Sequence, residues 1–538
     1  MISEEFDFSG HRGLEDMVDI RHINRRDLVK TVALGAGSGL LGGIGVVRAD
    51  STAGQVRVAD VDFASEIDLL IVGAGNAGIP AAIQAADLGG RVMLVDKNSF
   101  TGGMLNISGG HISAANSKLQ ISKGIEDSPA AHYRDAIRMG KYANNSELLK
   151  VAVDNAGAMV DWLEDIGVEF TPESPFFEDD HDHYSAKRTY MGPEYARSLL
   201  HPLRAELDKR IERGDVRLKL NTTVTELISG NDGEVIGVVS EDESGKQSSL
   251  MAKAVLMTTG GYGASDKLKQ KYNSRVAASK VICMPHATGD GIVMAAAVGA
   301  SLNSMDHLVS HPGAVDGASG RLQQAPKFLT DGIWVNSKGN RFVNEHGNPD
   351  EREIAFLEQS DFGFFYIIDQ SAIDRGSLGV LGWEQEQLQS HIQSGIVKKA
   401  SSITSLAREI GMGSSQLEST LKKYNDSVSL GKDIEFGREK LDQQLVDGPF
   451  YAVPITGSIL ITHGGISVNH LLQVVDANRR AIAGLYAAGE TLGSAQMMGK
   501  GVLSGMSVGP ALTLGRIAAR NAFQYAQTQG STTEACAT

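Results

Sequence analysis

The sequence predicts an α/β fold: a Rossmann-like domain interrupted by an inserted α+β domain. Three observations carry that prediction. The stretch IDLLIVGAGNAGIPAAIQAADLGGRVMLVDK, residues 67–97, runs from an apolar β segment through a glycine turn into an alanine-rich helical stretch. A second β run ending in an acidic residue completes the βαβ unit. Glycine-rich turns recur after apolar runs in VLMTTGGYGAS and GLYAAGE, far apart in the chain. Between those two turns, residues 306–447 mix short strands with helices such as LGWEQEQLQSHIQSG and carry no nucleotide motif.

Taken in order, the chain opens with NRRDLVK, Asn24–Lys30, then the mildly apolar TVALGAGSGLLGGIGVV and small residues at Val47 and Ala49. This is the order of a twin-arginine export signal over residues 1–49, which predicts a periplasmic or otherwise exported protein. A cytoplasmic protein with an uncleaved N-terminal arm is the alternative. The apolar run is too short and too glycine-rich for a membrane span, and no later stretch is long and apolar enough for one, so no integral membrane segment is expected. The first segment of the α/β domain covers residues 62–305. Within it, 130–215 reads as amphipathic helices, and VRLKLNTTVTELI with GEVIGVVSEDES alternates with period two as a strand pair. The inserted domain follows at 306–447. At GPFYAVPI the texture returns to short strands and glycine turns, which assigns 448–528 to the first domain as its second segment.

Composition narrows the partners. With 42% hydrophobic and 21% charged residues, the 538-residue chain is globular and has room for two or three domains. A net charge of −15 without a dense basic run argues against nucleic acid. Cys283 and Cys536 make no disulfide framework, and without Cys-x-x-Cys-His no c-type haem is attached within these residues.

The chemistry starts at Gly73-x-Gly75-x-x-Gly78. One glycine gives the tight turn, one lets the backbone approach a pyrophosphate, and one packs helix on strand. Asn76 and Ala77 open the helix, whose N–H groups and dipole suit phosphate. Asp96 closes the second strand 18 residues after Gly78, placed to accept hydrogen bonds from a ribose diol, with Lys97 next to it. The site binds a dinucleotide. A second glycine loop, KNSFTGGMLNISGGHISAAN, has no place in a simple NAD domain and points to FAD. It contributes Gly102, Gly103, Met104, Ser108, Gly109 and Gly110; Thr259, Gly260, Gly261 and Glu490 sit in the later turns.

These motifs, together with ATGDGIVMAAAVGA, GNRFVNE, FYAVPI and HGGI, resemble in their order the fumarate reductase and 3-ketosteroid dehydrogenase superfamily of FAD enzymes over most of residues 66–525. The resemblance implies a Rossmann-like FAD-binding domain in two segments, with an inserted α+β capping domain closing over the isoalloxazine. It adds Val224, Asp290, Val502, Leu503 and Ser504 to the cofactor residues. A small-molecule substrate would exchange hydride with flavin N5 at a CH–CH or C=C bond conjugated to a carbonyl, while a second group trades a proton.

Departures from the superfamily pattern shape the expectation further. Covalently linked members have a histidine where this chain has Gly103, so the FAD is expected to be non-covalent. A substrate histidine matches His311, another falls at Leu460 and is missing, and His463 stands nearby in THGG. Pro349 occupies the slot of the proton-donating arginine, with Arg352 three residues on; the arginine that clamps a dicarboxylate aligns with Met497. The steroid branch places tyrosines near Pro349 and Gly501, and neither is tyrosine here. His463, His311, Arg352 and Tyr190 are therefore the catalytic candidates, and Met497, Met498 and Lys500 the substrate contacts. A thioether surface in place of a bidentate fork argues against fumarate or succinate, and Lys500 can hold one carboxylate as a point charge. Tyr184, Tyr190, His181 and His183 share the loop HDHYSAKRTYMG, expected to be solvated or to cover the substrate; no metal motif supports a metal site there.

The expected function is an FAD-dependent ene-reductase or ketone dehydrogenase whose substrate is not a dicarboxylate, exchanging electrons with a separate cytochrome or quinone. A flavin-binding electron carrier without turnover and a true fumarate reductase are the alternatives.

Overall fold

The structure is a computed structural model that describes residues 67–535 except 179–182, 278, 308–309, 320, 323–330, 348, 360–361, 377–379 and 382. The twin-arginine segment and His181 lie outside the described residues. The first strand, β1 (Ile67–Val72), is buried from Asp68 onward, as a continuous apolar run covered on both faces must be. Helix α1 (Gly78–Asp87) follows the glycine turn and leads to β2 (Val92–Val95), which pairs parallel with β1. Helix α2 (Pro129–Met139) is capped by the Ser128 side chain, which accepts from the Ala131 N–H.

The run expected to form one strand at 216–228 splits in two. β3 (Val216–Lys219) pairs parallel with β2, whereas β4 (Thr222–Ser229) turns back to form an antiparallel pair with β5 (Val235–Asp242). Positive φ at Asn221 marks the break. β6 (Gln247–Met257) pairs with β5 and, parallel, with β1.

The second large sheet is mostly antiparallel. It contains β7 (His311–Val315) and β8 (Gly332–Val335), then, after helix α3 (Pro349–Leu357), β9 (Gly363–Asp369) and β10 (Phe450–Ile459). Alternation along its strands feeds two cores. Phe364, Tyr366 and Ile368 pack on one face with Trp334 and Phe356, while Ile367 and Ala452 pack on the other with Leu406, Leu417 and Tyr424. The sequence reading grouped β10 with the returning nucleotide segment, but its hydrogen bonds run to β7 and β9. Beyond it, β11 (Gln473–Val475) and β12 (Ala481–Ala487) rejoin the first sheet, β12 parallel to β6. The last helix, α4 (Val508–Ala535), packs on α1, β1 and β6. No helix among the described residues is long and apolar enough to cross a membrane.

Candidate active site

Glycines let chain segments approach one another closely here. Gly73 has φ +108°, and a Cβ there would overlap the Thr258 carbonyl oxygen; on Gly78 it would overlap the Gly73 carbonyl. A Cβ on Gly103, at φ +47°, would lie 3.1 Å from the Gly75 Cα, so the two glycine loops meet backbone to backbone. Gly102, also left-handed at φ +104°, precedes the single turn Gly103–Asn106 that holds Met104. A Cβ on Gly110 would lie 2.5 Å from the Ala196 nitrogen, and the Gly110 N–H, next to Gly109, donates to the Ser108 hydroxyl at 3.2 Å. These approaches leave a cradle walled by backbone beside Asn76 and the buried Ala77.

Asp96 faces the cradle and is tied to it. Its Oδ2 accepts from the Ala74 N–H at 2.7 Å, and its Oδ1 accepts from the Asn98 N–H and side-chain amide, each at 2.8 Å. Oδ2 keeps acceptor capacity for a ribose hydroxyl. Lys97 donates to Thr288 at 2.6 Å and to Asp290 at 2.7 Å, which joins two expected cofactor residues in one ion pair. Val224 is buried.

Thr259 and Gly260 follow β6, and the Thr259 hydroxyl meets that of Thr491 at 3.1 Å. On Gly261 a Cβ would overlap Thr462 and Glu490. Glu490 Oε1 accepts from the Thr462 N–H at 2.9 Å, and burial pushes its carboxyl above the usual value. Leu503 is buried beside Val502, and the Ser504 carbonyl accepts from the Tyr184 hydroxyl at 2.9 Å. The expectation of a solvated loop fails at Tyr184, Arg188 and Tyr190, which are all buried. Arg188 is held there by Asp127, at 2.6 Å, and by Asp135. His183 packs edge-on against Phe177.

The loop at 495–505 packs on the end of α2. A Cβ on Gly499 would overlap the Gly140 carbonyl, and on Gly501 the Met139 carbonyl. The glycines are thus explained by backbone packing. Met497 and Met498 are 5% and 4% exposed within the main core, while Lys500 is exposed.

The imidazoles converge. Leu302–Asn303 pairs antiparallel with Gly465–Ile466, and Gly464 lets the chain pass close to Met305. The His307 ring therefore lies 4.8 Å from that of buried His463, edge to face at 88°. His311 Nδ1 is 3.3 Å from Glu353 Oε2 of α3. Burial, then the charges of His307 and His311, hold His463 well below the ordinary imidazole value. Burial also lowers His307, with Lys500 adding to the effect and Glu353 and Asp306 opposing it.

Arg352 and Tyr190 are both buried. Arg352 is 2% exposed; it donates to the Glu345 carbonyl at 3.3 Å and its guanidinium lies over Trp334 at 5.9 Å. Tyr190 shares a 2.7 Å hydrogen bond with Ser117, and burial pushes its hydroxyl up. Sequence reasoning missed His307 and Glu353. His307 belongs to no motif, and only folding pairs Glu353 with His311.

The residues fit an FAD: a backbone cradle for pyrophosphate, a carboxylate for ribose and a polar turn at Glu490. The family model described as FAD binding domain matches residues 68–508. A probable fumarate reductase of Shewanella frigidimarina is 31% identical over 461 residues, 85% of this chain and 75% of the relative. A urocanate reductase of Eggerthella lenta is 30% identical over 485 residues, 88% and 77% of the two chains. The solved 3-ketosteroid Δ1-dehydrogenase of Sterolibacterium denitrificans superposes with a TM-score of 0.73 at 22% identity, over 85% of this chain and 99% of that one, a likeness of fold.

Proposed function

The chain belongs to the FAD-binding-domain family and is an FAD-dependent oxidoreductase acting on carbon–carbon double bonds, and from that premise we propose that its substrate is an alkene conjugated to one carbonyl or one carboxylate. The supporting observation is the burial of Met497 in the core at the position expected for a clamping arginine. Lys500, which is exposed, can meet one carboxylate as a point charge. The relatives' names differ in substrate at nearly equal identity, so identity alone does not favour fumarate.

Bound non-covalently, FAD supplies the hydride acceptor or donor. The cradle from Gly73 to Gly78 and the Gly102–Gly110 loop hold its phosphates by backbone N–H groups, and Asp96 its ribose. His463, neutral and buried, hydrogen-bonds the substrate oxygen, and His311, held by Glu353, is the candidate to trade the proton at the carbon next to the carbonyl. Electrons pass to or from a separate cytochrome or quinone, and the N-terminal segment directs export.

The experiment is anaerobic mixing of oxidised or reduced holoenzyme with aryl acrylates, simple enoates, cyclic ketones, 3-oxosteroids and fumarate, read by the visible flavin band. Reoxidation by an acrylate or enoate is expected of a reductase, and bleaching by a saturated ketone of a dehydrogenase. Rapid reoxidation by fumarate would overturn the argument from Met497, and silence across the panel would favour an electron carrier.

A further inference from the structure

Two pairs of side chains from separate places in the sequence lie within electrostatic reach of each other: His307 before β7 with His463 after β10, and His311 at the first residue of β7 with Glu353 on α3. Two of their ring nitrogens stand out. Nε2 of His307 and Nδ1 of His463 are buried and have no hydrogen-bond partner among the described residues. Leaving such a group unsatisfied is costly, and buried polar atoms in native proteins are normally partnered. Both rings are depressed by burial and so neutral at ordinary pH, each with one donor and one acceptor nitrogen. Neutral donors suit a ketone oxygen or one carboxylate, and the charge of Lys500 reaches His307.

We propose that His307 and His463 together hold one oxygen of the substrate's conjugated carbonyl or single carboxylate, and that Glu353 is the positioning residue that fixes the His311 ring beside them. A hydrogen bond to that oxygen polarises the double bond and stabilises the negative charge that grows on it as the β-carbon is attacked. The inference rests on the double-bond reading above and adds the residues and the atom recognised.

The test titrates oxidised FAD-loaded enzyme with 3-phenylpropanoate, a saturated acid, and in parallel with 3-phenylpropanamide, its neutral carbonyl analogue. Binding is followed by the flavin difference spectrum. His307→Ala is expected to weaken binding of the preferred probe about ten-fold or more, with flavin content and Tm unchanged. His463→Gln, which keeps a polar side chain in the buried position, does the same. Tighter binding of the acid assigns the oxygen to a carboxylate, tighter binding of the amide to a neutral carbonyl. Glu353→Gln lowers kcat with the accepted alkene more than it raises KM, and Glu353→Asp recovers part of the loss. Wild-type affinity in both histidine variants overturns the proposal while leaving the double-bond reading intact. A wild-type enzyme that neither binds the probes nor turns over any alkene overturns both.

Discussion

At Gly73 the backbone stands at φ +108° against the Thr258 carbonyl, so even a methyl group has nowhere to go. Gly73→Ala is therefore expected to purify with little flavin, measured as visible absorbance relative to protein; full occupancy would refute the backbone-cradle account. That glycine was legible because a tight turn between strand and helix demands it. His307 was not, since nothing local marks a lone histidine whose partner lies over a hundred positions away. His132 shows what burial does to such a ring. Fully buried, with the Arg188 charge adding to the effect and Asp127 and Asp135 opposing it, its value falls to about 3. The unfolded chain therefore binds the proton between about pH 6.5 and 3 while the folded chain does not. Stability is fully present above the unfolded value and declines as pH falls through that window, by about 1.4 kcal/mol per pH unit for one proton. Urea unfolding of wild type and His132→Gln between pH 4.5 and 6.5 checks this. The variant should show a shallower slope by about one proton, and equal slopes would refute the assignment.

Helix α3 shows how one element divides its duties. Neighbouring residues point about 100° apart on a helix, so Arg352 enters the core under Trp334 while Glu353 reaches His311. Sequence spacing locates the helix but not its rotation. The preceding GNRFVNE stretch was legible as a motif, and its charges serve the fold. Arg341 pairs with Glu345 at 2.8 Å and Asp433 at 2.9 Å, and Arg438 adds a contact to Glu345 at 3.3 Å. Burial alone would raise the Glu345 carboxyl, but the arginine charges hold it below its usual value. Arg341→Met leaves two buried carboxylates short of a partner and should destabilise by about 3–5 kcal/mol, read by urea unfolding. A loss under 1 kcal/mol would mean that the network relaxes around the substitution.

One continuous stretch leads from the second sheet back to the first. β10 belongs to the second sheet, and its chain runs directly into THGG, where His463, Gly464 and Gly465 pack against Met305 and Thr491. The alternation of FYAVPI was visible in the sequence, but period two says only that a strand has two faces and not which sheet it joins. The parallel βαβ half was legible because its order follows the chain, whereas β10 takes most of its partners from strands more than eighty residues away. This continuity makes the described residues one compact unit, and it has a measurable consequence. Disturbing β10 should loosen the flavin cradle as well as the second core, since Thr462, seven residues after Ile455, supplies the N–H that Glu490 accepts. Thermal unfolding of the holoenzyme should therefore give coincident midpoints by far-UV circular dichroism and by flavin fluorescence. Val453→Ala, a truncation in the second core, should lower both midpoints together. Separate midpoints, or a variant that lowers only the circular dichroism transition, would mean that the second sheet unfolds independently and that β10 transmits nothing to the flavin.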